Sequence, residues 1–204
     1  MQRAARVTSD LDNIRMALAR PGPASSDFDL HPDIKLSPDR QLRPAAVLVP
    51  LFYHESELSV ILTKRSSALK HHPGQIAFPG GKRDDADASI EAAALREAHE
   101  EIGLQAASVE VLGNLPPHET VTGFLVTPVV AFISDTFTPT PEPGEVEEVF
   151  SVPLKHVTDL AQYRQQGRIW QGRMRNYETV PFGPYYIWGA TARMLRGFAE
   201  LLET

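Results

Sequence analysis

The sequence contains no cysteine among its 204 residues. That absence excludes disulfide scaffolds, thiolate zinc sites, iron–sulfur clusters and cysteine nucleophiles, and it suits a reducing compartment. Long apolar runs are missing too. The longest, residues 44–53, is strand-sized and far short of the ~18 residues of a membrane span. The first twenty residues mix charges with alanines and lack the apolar core of ~7–15 residues that marks a secretory signal. A cytoplasmic protein with no membrane partner is expected. Nor is there a cationic surplus, since 26 Asp and Glu outnumber 20 Lys and Arg for a net charge of −6. A chain built to neutralise nucleic-acid phosphates would carry the opposite balance, so no nucleic-acid partner is expected. A small anionic ligand, held by a few local cations or by a metal, is compatible with that charge.

What is present is ordinary globular material, 42% hydrophobic and 23% charged. The length suits one domain with extensions. Ser9 and Asp10 read as N-caps of a short helix over residues 11–20, followed by a Pro- and Gly-rich linker over 21–27 and a polar, irregular stretch to residue 42. From Pro44 the pattern changes to short β-rich runs at 46–53, 58–63, 75–78, 109–112 and 126–133. One strong helix over 89–102 interrupts them and Gly103 stops it; a second amphipathic helix spans 190–202. Residues 138–144, rich in proline, read as a surface connection. The expected fold is mixed α/β, a twisted mixed sheet with helices on its faces. Residues 1–42 form an N-terminal helix and linker in this reading, and residues 43–204 a single domain.

The helix at 89–102 carries the chemistry. At 3.6 residues per turn, Glu97, Glu100 and Glu101 fall within an arc of ~100° on one face, while Ile90, Ala94, Leu95, Ala98 and Ile102 can meet the sheet. Like charges at these spacings cost a few tenths of a kcal/mol per pair. The end of the helix dipole disfavours anions by a further ~0.3–1 kcal/mol. Glutamate is also a good helix former on a solvated face, so the helix alone leaves both readings open. As a site, three carboxylates on one face suit Mg²⁺ or Mn²⁺, with waters and phosphate oxygens completing the shell. Zinc fits poorly, because the seven histidines include no helical pair at i, i+4. Just upstream, Gln75 to Phe78 reads as a strand and Pro79-Gly80-Gly81 as a sharp turn. The paired glycines let backbone approach a ligand or metal closely.

These residues resemble a known motif. Gly81, five residues, Asp87, eight residues, then Arg96-Glu97-Ala98-His99-Glu100-Glu101-Ile102-Gly103-Leu104 is similar to the Nudix box, G-x5-E-x7-R-E-U-x-E-E-x-G-U with U aliphatic. It departs in having Asp87 for the first Glu, one extra residue before Arg96, and a small Ala98 at the aliphatic position. The departures lower the weight placed on Asp87 and leave the three glutamates intact. The segment from Ile61 to Gly81, with Leu62-Thr63-Lys64-Arg65-Ser66 and Phe78-Pro79-Gly80-Gly81, resembles the signature of the coenzyme A pyrophosphatase-like branch. Leu115-Pro116-Pro117, Val121-Thr122-Gly123 and Trp188-Gly189-Ala190-Thr191 continue that likeness, which spans about residues 43–202.

The resemblance implies a Nudix-type α/β/α sandwich with a central mixed sheet, and metal-dependent hydrolysis of a diphosphate. Glu97, Glu100 and Glu101 would hold Mg²⁺ or Mn²⁺, with a contribution from the Gly81 carbonyl. Arg96 would hold those carboxylates in place by charge-assisted bonds. A box glutamate or Glu145 would take the water proton, with Glu147 and Glu148 not separable from Glu145 on sequence. Lys64, Arg65, Lys70, His71 and His72 form a local cationic cluster that would meet phosphates of a polyanionic nucleotide, beside Gly80 and Gly81; exposed strand-end cations are the plain alternative. Trp170, Tyr185, Tyr186 and Trp188 could stack on a base, although aromatics beside apolar residues more often belong to the core. The implied substrate is coenzyme A or a derivative. Another nucleoside diphosphate derivative, such as ADP-ribose or a dinucleotide, and a non-catalytic ligand-sensing module are the alternatives.

Overall fold

Apolar side chains alternate between two faces along three neighbouring strands, and that alternation builds the layers. A computed structural model describes residues 2–37, 39–170 and 172–203, with the side chains of residues 2–6 and of Trp170 outside the described set. In β2 (Arg43–His54) Val49 and Leu51 join one buried cluster, whereas Ala46 and Leu48 join another. In β3 (Glu57–Arg65) Val60 and Leu62 are divided from Ile61 in the same way; in β8 (Phe124–Ile133) Val126 and Val130 are divided from Val129 and Ala131. Strands buried on both faces read as near-continuous apolar runs, which is why all three were legible in the sequence.

One face is covered by α1 (Gln2–Leu18), α3 (Leu154–Thr158) and α4 (Ala190–Glu203), which contribute Ile14, Val157, Leu195 and Phe198 to the larger cluster. The other face is covered by α2 (Ile90–Ile102) through Ala93, Ala94, Ala98 and Ile102, each fully buried. The architecture is the expected mixed α/β sandwich. Around β2 the sheet is mixed, parallel to β8 and antiparallel to β3. Among the described residues the sheet has nine strands. They include β1 (Ser25–Ser26), β4 (Ile76–Ala77), β5 (Gly80–Lys82), β6 (Val109–Asn114), β7 (His118–Glu119) and β9 (Val146–Pro153).

Two details of β2 position everything that follows. Its C-terminal half pairs with β3, from Leu51 opposite Val60 to His54 opposite Glu57. Its N-terminal half pairs with β5, placing Val47 opposite Gly80 and Ala46 opposite Gly81. The glycine turn is therefore a strand of the sheet, lying directly beneath α2. The helix itself is well bounded: the Ser89 side chain accepts from Ala92 N at 3.1 Å, and Gly103 closes it at φ 74°.

Three expectations need correction. The first helix begins at Gln2, so Ser9 and Asp10 lie inside it. Residues such as Ala4, Ala5 and Arg6 are good helix formers and extend it, while Asp10 accepts a 2.6 Å bond from the Tyr53 hydroxyl instead of capping. The linker is not wholly irregular, since β1 pairs with β7. A hairpin of β10 (Arg164–Trp170) and β11 (Arg173–Thr179) was not foreseen, because its polar strands carry no apolar alternation.

The alanines of α2 are fully buried against the sheet, an interface that suits the small residue at the aliphatic position of the motif. Ala98→Leu is expected to overpack this interface and lower stability by about 1–3 kcal/mol in urea unfolding. Undiminished stability would mean that α2 is not seated as described.

Candidate active site

Glu97 and Glu101 project from successive turns of α2 onto the glycine turn. A Cβ at Gly81 would fall 2.6 Å from Oε2 of Glu97 and 2.7 Å from its Cδ and Oε1. A side chain there would oblige that carboxylate to move off the turn. Gly80, at φ 154°, donates its N–H to Glu101 Oε2 at 3.1 Å, and a Cβ there would lie 2.5 Å from the backbone of Ala46 and Val47. Glu101 is 4% exposed. Burial pushes its carboxyl up to about 7, with Glu145 and Glu97 adding repulsion, while the Gly80 amide and Arg65 pull the other way. Burial also raises Glu97; Arg96 offsets this, and Glu100 and Glu145 reinforce it. Glu100 stands apart, largely exposed, 3.3 Å from Arg96.

Arg96 organises this face. Its guanidinium binds both oxygens of buried Asp87 at 2.9 Å, Glu97 at 2.9 Å and the Lys82 carbonyl at 3.2 Å. The pair with Arg96 and the amide of Asp84 hold the Asp87 carboxyl down at about 2. Asp87, given little weight on sequence, is thus the anchor through which Arg96 reaches Glu97. Its signal was its place at the first acidic position of the motif, five residues after Gly81, with one extra residue before Arg96.

The Pro-rich connection is more than a surface loop. Thr140 N donates to Ile102 O at 2.9 Å and Glu142 N to Glu101 O at 2.9 Å, satisfying carbonyls at the C-terminus of α2. That docking delivers Glu145 beside Glu97 and Glu101, and the Glu145 carbonyl accepts from Ser66 N at 2.8 Å. The other two glutamates are engaged elsewhere. Glu147 binds Lys64 at 2.6 Å and the Ser67 hydroxyl at 2.6 Å, which draw its carboxyl down to about 2. Glu148 accepts from the hydroxyl of Tyr185, whose ring stacks on Phe150 at 3.5 Å.

A cleft of about 510 Å³ opens beside Gly80. Arg65 lines it, re-aimed by a bulge between Lys64 and Arg65 in the pairing of β3 with β9. Its Nη1 stands 4.0 Å from Glu101 Oε1, and its buried Nε has no hydrogen-bond partner. His72 and Trp188 also line the cleft; Lys64, Lys70, His71, Tyr185 and Tyr186 do not. The side chain of Trp170 lies outside the described residues. The N-terminal segment supplies one wall. Fully buried His118 fastens it, with ring nitrogens 2.9 Å from Ser25 Oγ and 3.1 Å from Asp27 Oδ1, and His31 Nε2 accepts from Asn176 N at 3.2 Å.

The donor set of Glu97, Glu101 and the turn backbone is hard oxygen, and two mutually repelling carboxylates, one half-buried and one buried, fit a divalent cation. No three acidic or imidazole groups among the described residues stand in ligating geometry. Mg²⁺-type sites commonly take only one or two carboxylates and leave the rest to water and phosphate.

Comparison with known proteins agrees with this geometry. A family profile described as "NUDIX domain" matches residues 42–172. The chain is 43% identical over 157 residues to an "Uncharacterized Nudix hydrolase NudL" of Enterobacter sp. (strain 638), covering 77% of this chain and 81% of that protein. It is 41% identical over 170 residues to the protein of the same description from Shigella flexneri serotype 5b, covering 83% and 88%. A MutT/nudix family protein from Enterococcus faecalis superposes with a TM-score of 0.53 at 17% identity, over 87% of this chain and 68% of that one, a likeness of fold alone.

The raised Glu101 carboxyl has a stability consequence with a definite sign. A carboxyl whose folded value lies above its unfolded value stabilises the fold below about pH 4.5, and that contribution is lost as pH rises through about 7. In chelator-treated protein, Glu101→Gln should match wild type near pH 5 and exceed it by on the order of 2 kcal/mol near pH 8. An equal difference at both pH values would contradict the burial argument.

Proposed function

This chain belongs to the Nudix family, and from that premise we propose that it is a metal-dependent hydrolase of the diphosphate in coenzyme A or its derivatives, releasing 3′,5′-ADP and 4′-phosphopantetheine. The observation that carries the reading is the pair of carboxylates, half-buried Glu97 and buried Glu101, packed on Gly80-Gly81, with Gly80 and Arg65 also lining the adjoining cleft. The likeness of residues 61–81 to the coenzyme A branch supplies the substrate.

Glu97 and Glu101, with the Gly81 carbonyl, would hold Mg²⁺ or Mn²⁺; the ion when bound offsets phosphate charge and acidifies a water. The remaining roles fall to the chain itself. Arg65 presents an unpartnered buried N–H and a guanidinium at the cleft, suited to a non-bridging phosphate oxygen. Arg96, tied to Asp87, fixes the rotamer of Glu97. Water attacks one phosphorus, a new P–O bond forms, and the bridging P–O bond breaks. Glu145, exposed beside Glu97 and Glu101, accepts the water proton. Glu100, exposed on the rim and held by Arg96, remains a candidate outer ligand.

The test is turnover of coenzyme A, ADP-ribose, NADH and a dinucleoside polyphosphate with Mg²⁺ or Mn²⁺, with products identified by mass. Cleavage of coenzyme A to the two stated products is expected; cleavage of ADP-ribose but not coenzyme A would overturn the substrate, and no cleavage of any would favour a ligand-sensing module. Glu97→Gln and Glu101→Gln should each lower kcat about a hundredfold or more while keeping the fold. Near-wild-type activity of the double variant with saturating metal would remove both from the site.

A further inference from the structure

Fully buried His118 has no part in the chemistry described above, yet both of its ring nitrogens are spent on one short stretch of chain. Nδ1 lies 2.9 Å from Ser25 Oγ and Nε2 3.1 Å from Asp27 Oδ1. A neutral ring satisfies both, accepting from the hydroxyl and donating to the carboxylate. Burying an imidazole is costly unless its polar atoms are paired. The stretch it holds has little else of its own. β1 is two residues long and meets β7 only through Ser25 opposite His118 and Ser26 opposite Glu119. So short a ladder is marginal by itself, and His118 is its latch.

Asp27 extends the latch to a second loop. Its other oxygen accepts from Val121 N at 2.8 Å, which staples residues 25–31 to residues 120–122. The two loops form one wall of the cleft, Asp27, Leu30 and His31 lining it from the first and Thr120, Val121 and Thr122 from the second. Ser25 and His118 stand behind that wall and do not line the cleft. Their influence on a ligand must therefore pass through the segment they hold. Its far end is tied down as well, Asp29 to Arg193 at 3.3 Å and His31 Nε2 to Asn176 N at 3.2 Å.

The wall is unsuited to a phosphate. Asp27 faces a neutral ring and an amide, and among the described residues no Lys or Arg pairs with it. Asp29 and Arg193 offset each other. Leu30 and Val121, with Val126 and Met194 also in the lining, supply apolar surface, and Thr120 and Thr122 supply hydroxyls. The rings able to stack on a base, Tyr177 and Trp188, belong to other parts of the lining. An extended, uncharged arm bearing amides matches such a surface, whereas an anion would be repelled by Asp27.

We infer that residues 25–31 and 120–122 form the subsite for the uncharged arm of the substrate, and that His118 is the positioning residue that preforms it. The inference rests on the coenzyme A reading, in which that arm is pantetheine. Residues N-terminal to the sheet thereby gain a role in specificity that the motif does not contain.

The experiment measures kcat and KM for coenzyme A in wild type, His118→Ala, His118→Gln, Ser25→Ala and Leu30→Asp, with inhibition constants for the two products. His118→Ala should raise KM about tenfold with kcat near wild type, because a loosened wall weakens binding away from the reacting phosphorus. Inhibition by 4′-phosphopantetheine should weaken by a similar factor and inhibition by 3′,5′-ADP should not change. His118→Gln, whose amide keeps one of the two bonds, should recover part of the loss, and Ser25→Ala should show a smaller one. Hydrogen exchange at the Ser25 and Asp27 amides should quicken in His118→Ala. If that variant fails to fold, Ser25→Ala and Leu30→Asp carry the test, the latter by placing a charge on the wall itself. Equal weakening of both products, or a fall in kcat at unchanged KM, overturns the subsite and leaves the pyrophosphatase reading standing. Failure of wild type to cleave coenzyme A overturns that reading, and the subsite with it.

Discussion

Two carboxylates, one half-buried and one buried, packed against a backbone with no side chains set the terms for much of this structure. Glu97 and Glu101 leave water on a helix that already disfavours anions at its C-terminal end. They settle there because β5 offers Gly80 and Gly81, one donating an amide and the other leaving space. The same helix seats on the sheet through small residues, Ala93, Ala94 and Ala98, each fully buried. It also requires a counter-charge that does not fill the site. Arg96 supplies it from the flank, reaching Glu97 while anchored bidentately on Asp87. A buried charge is tolerable only when paired and hydrogen-bonded, and here the pairing is deliberately incomplete, since burial leaves both groups with raised proton affinity.

The same economy of charge runs through the cleft. Anionic side chains that line it are each bound to a partner, whereas Arg65 keeps an unpartnered Nε and Arg168 rests against the ring of Trp188. On the proposed reading an acidic protein holds a polyanion in this way, because the local field of a few cations in a cleft outweighs a net charge spread over the surface. The N-terminal segment belongs to this arrangement. His118 clamps it between Ser25 and Asp27, and Arg40 binds both oxygens of Glu119, so a stretch that read as linker becomes a wall.

Legibility followed the physics of each region. Strands β2, β3 and β8 were plain because two-sided burial demands unbroken apolar runs. Helix α2 was plain because Ser89, Gly103 and the glutamate arc are local signals. The hairpin was invisible, its strands being polar and without apolar alternation. At Glu145, Glu147 and Glu148 the sequence offered three equivalent carboxylates; only tertiary placement separates them, through the Lys64 and Tyr185 contacts that occupy the latter two. The first helix was shortened on sequence because Ser9 and Asp10 are strong caps in isolation, a preference overridden by the Tyr53 bond. Asp87 looked expendable as a departure from the motif, yet its geometry with Arg96 is the best satisfied in the site.

If a divalent cation takes the place of the proton that burial attracts to Glu101, metal binding must release that proton. Calorimetric titration with Mg²⁺ or Mn²⁺ in two buffers of different ionisation enthalpy measures the release directly. Close to one proton per site is expected near pH 6, falling toward zero near pH 8.5, with affinity weakening about tenfold per unit as pH drops below about 7. Release of no proton at any pH, or metal affinity unaltered in Glu101→Gln, would contradict the coupling of these buried carboxylates to a cation.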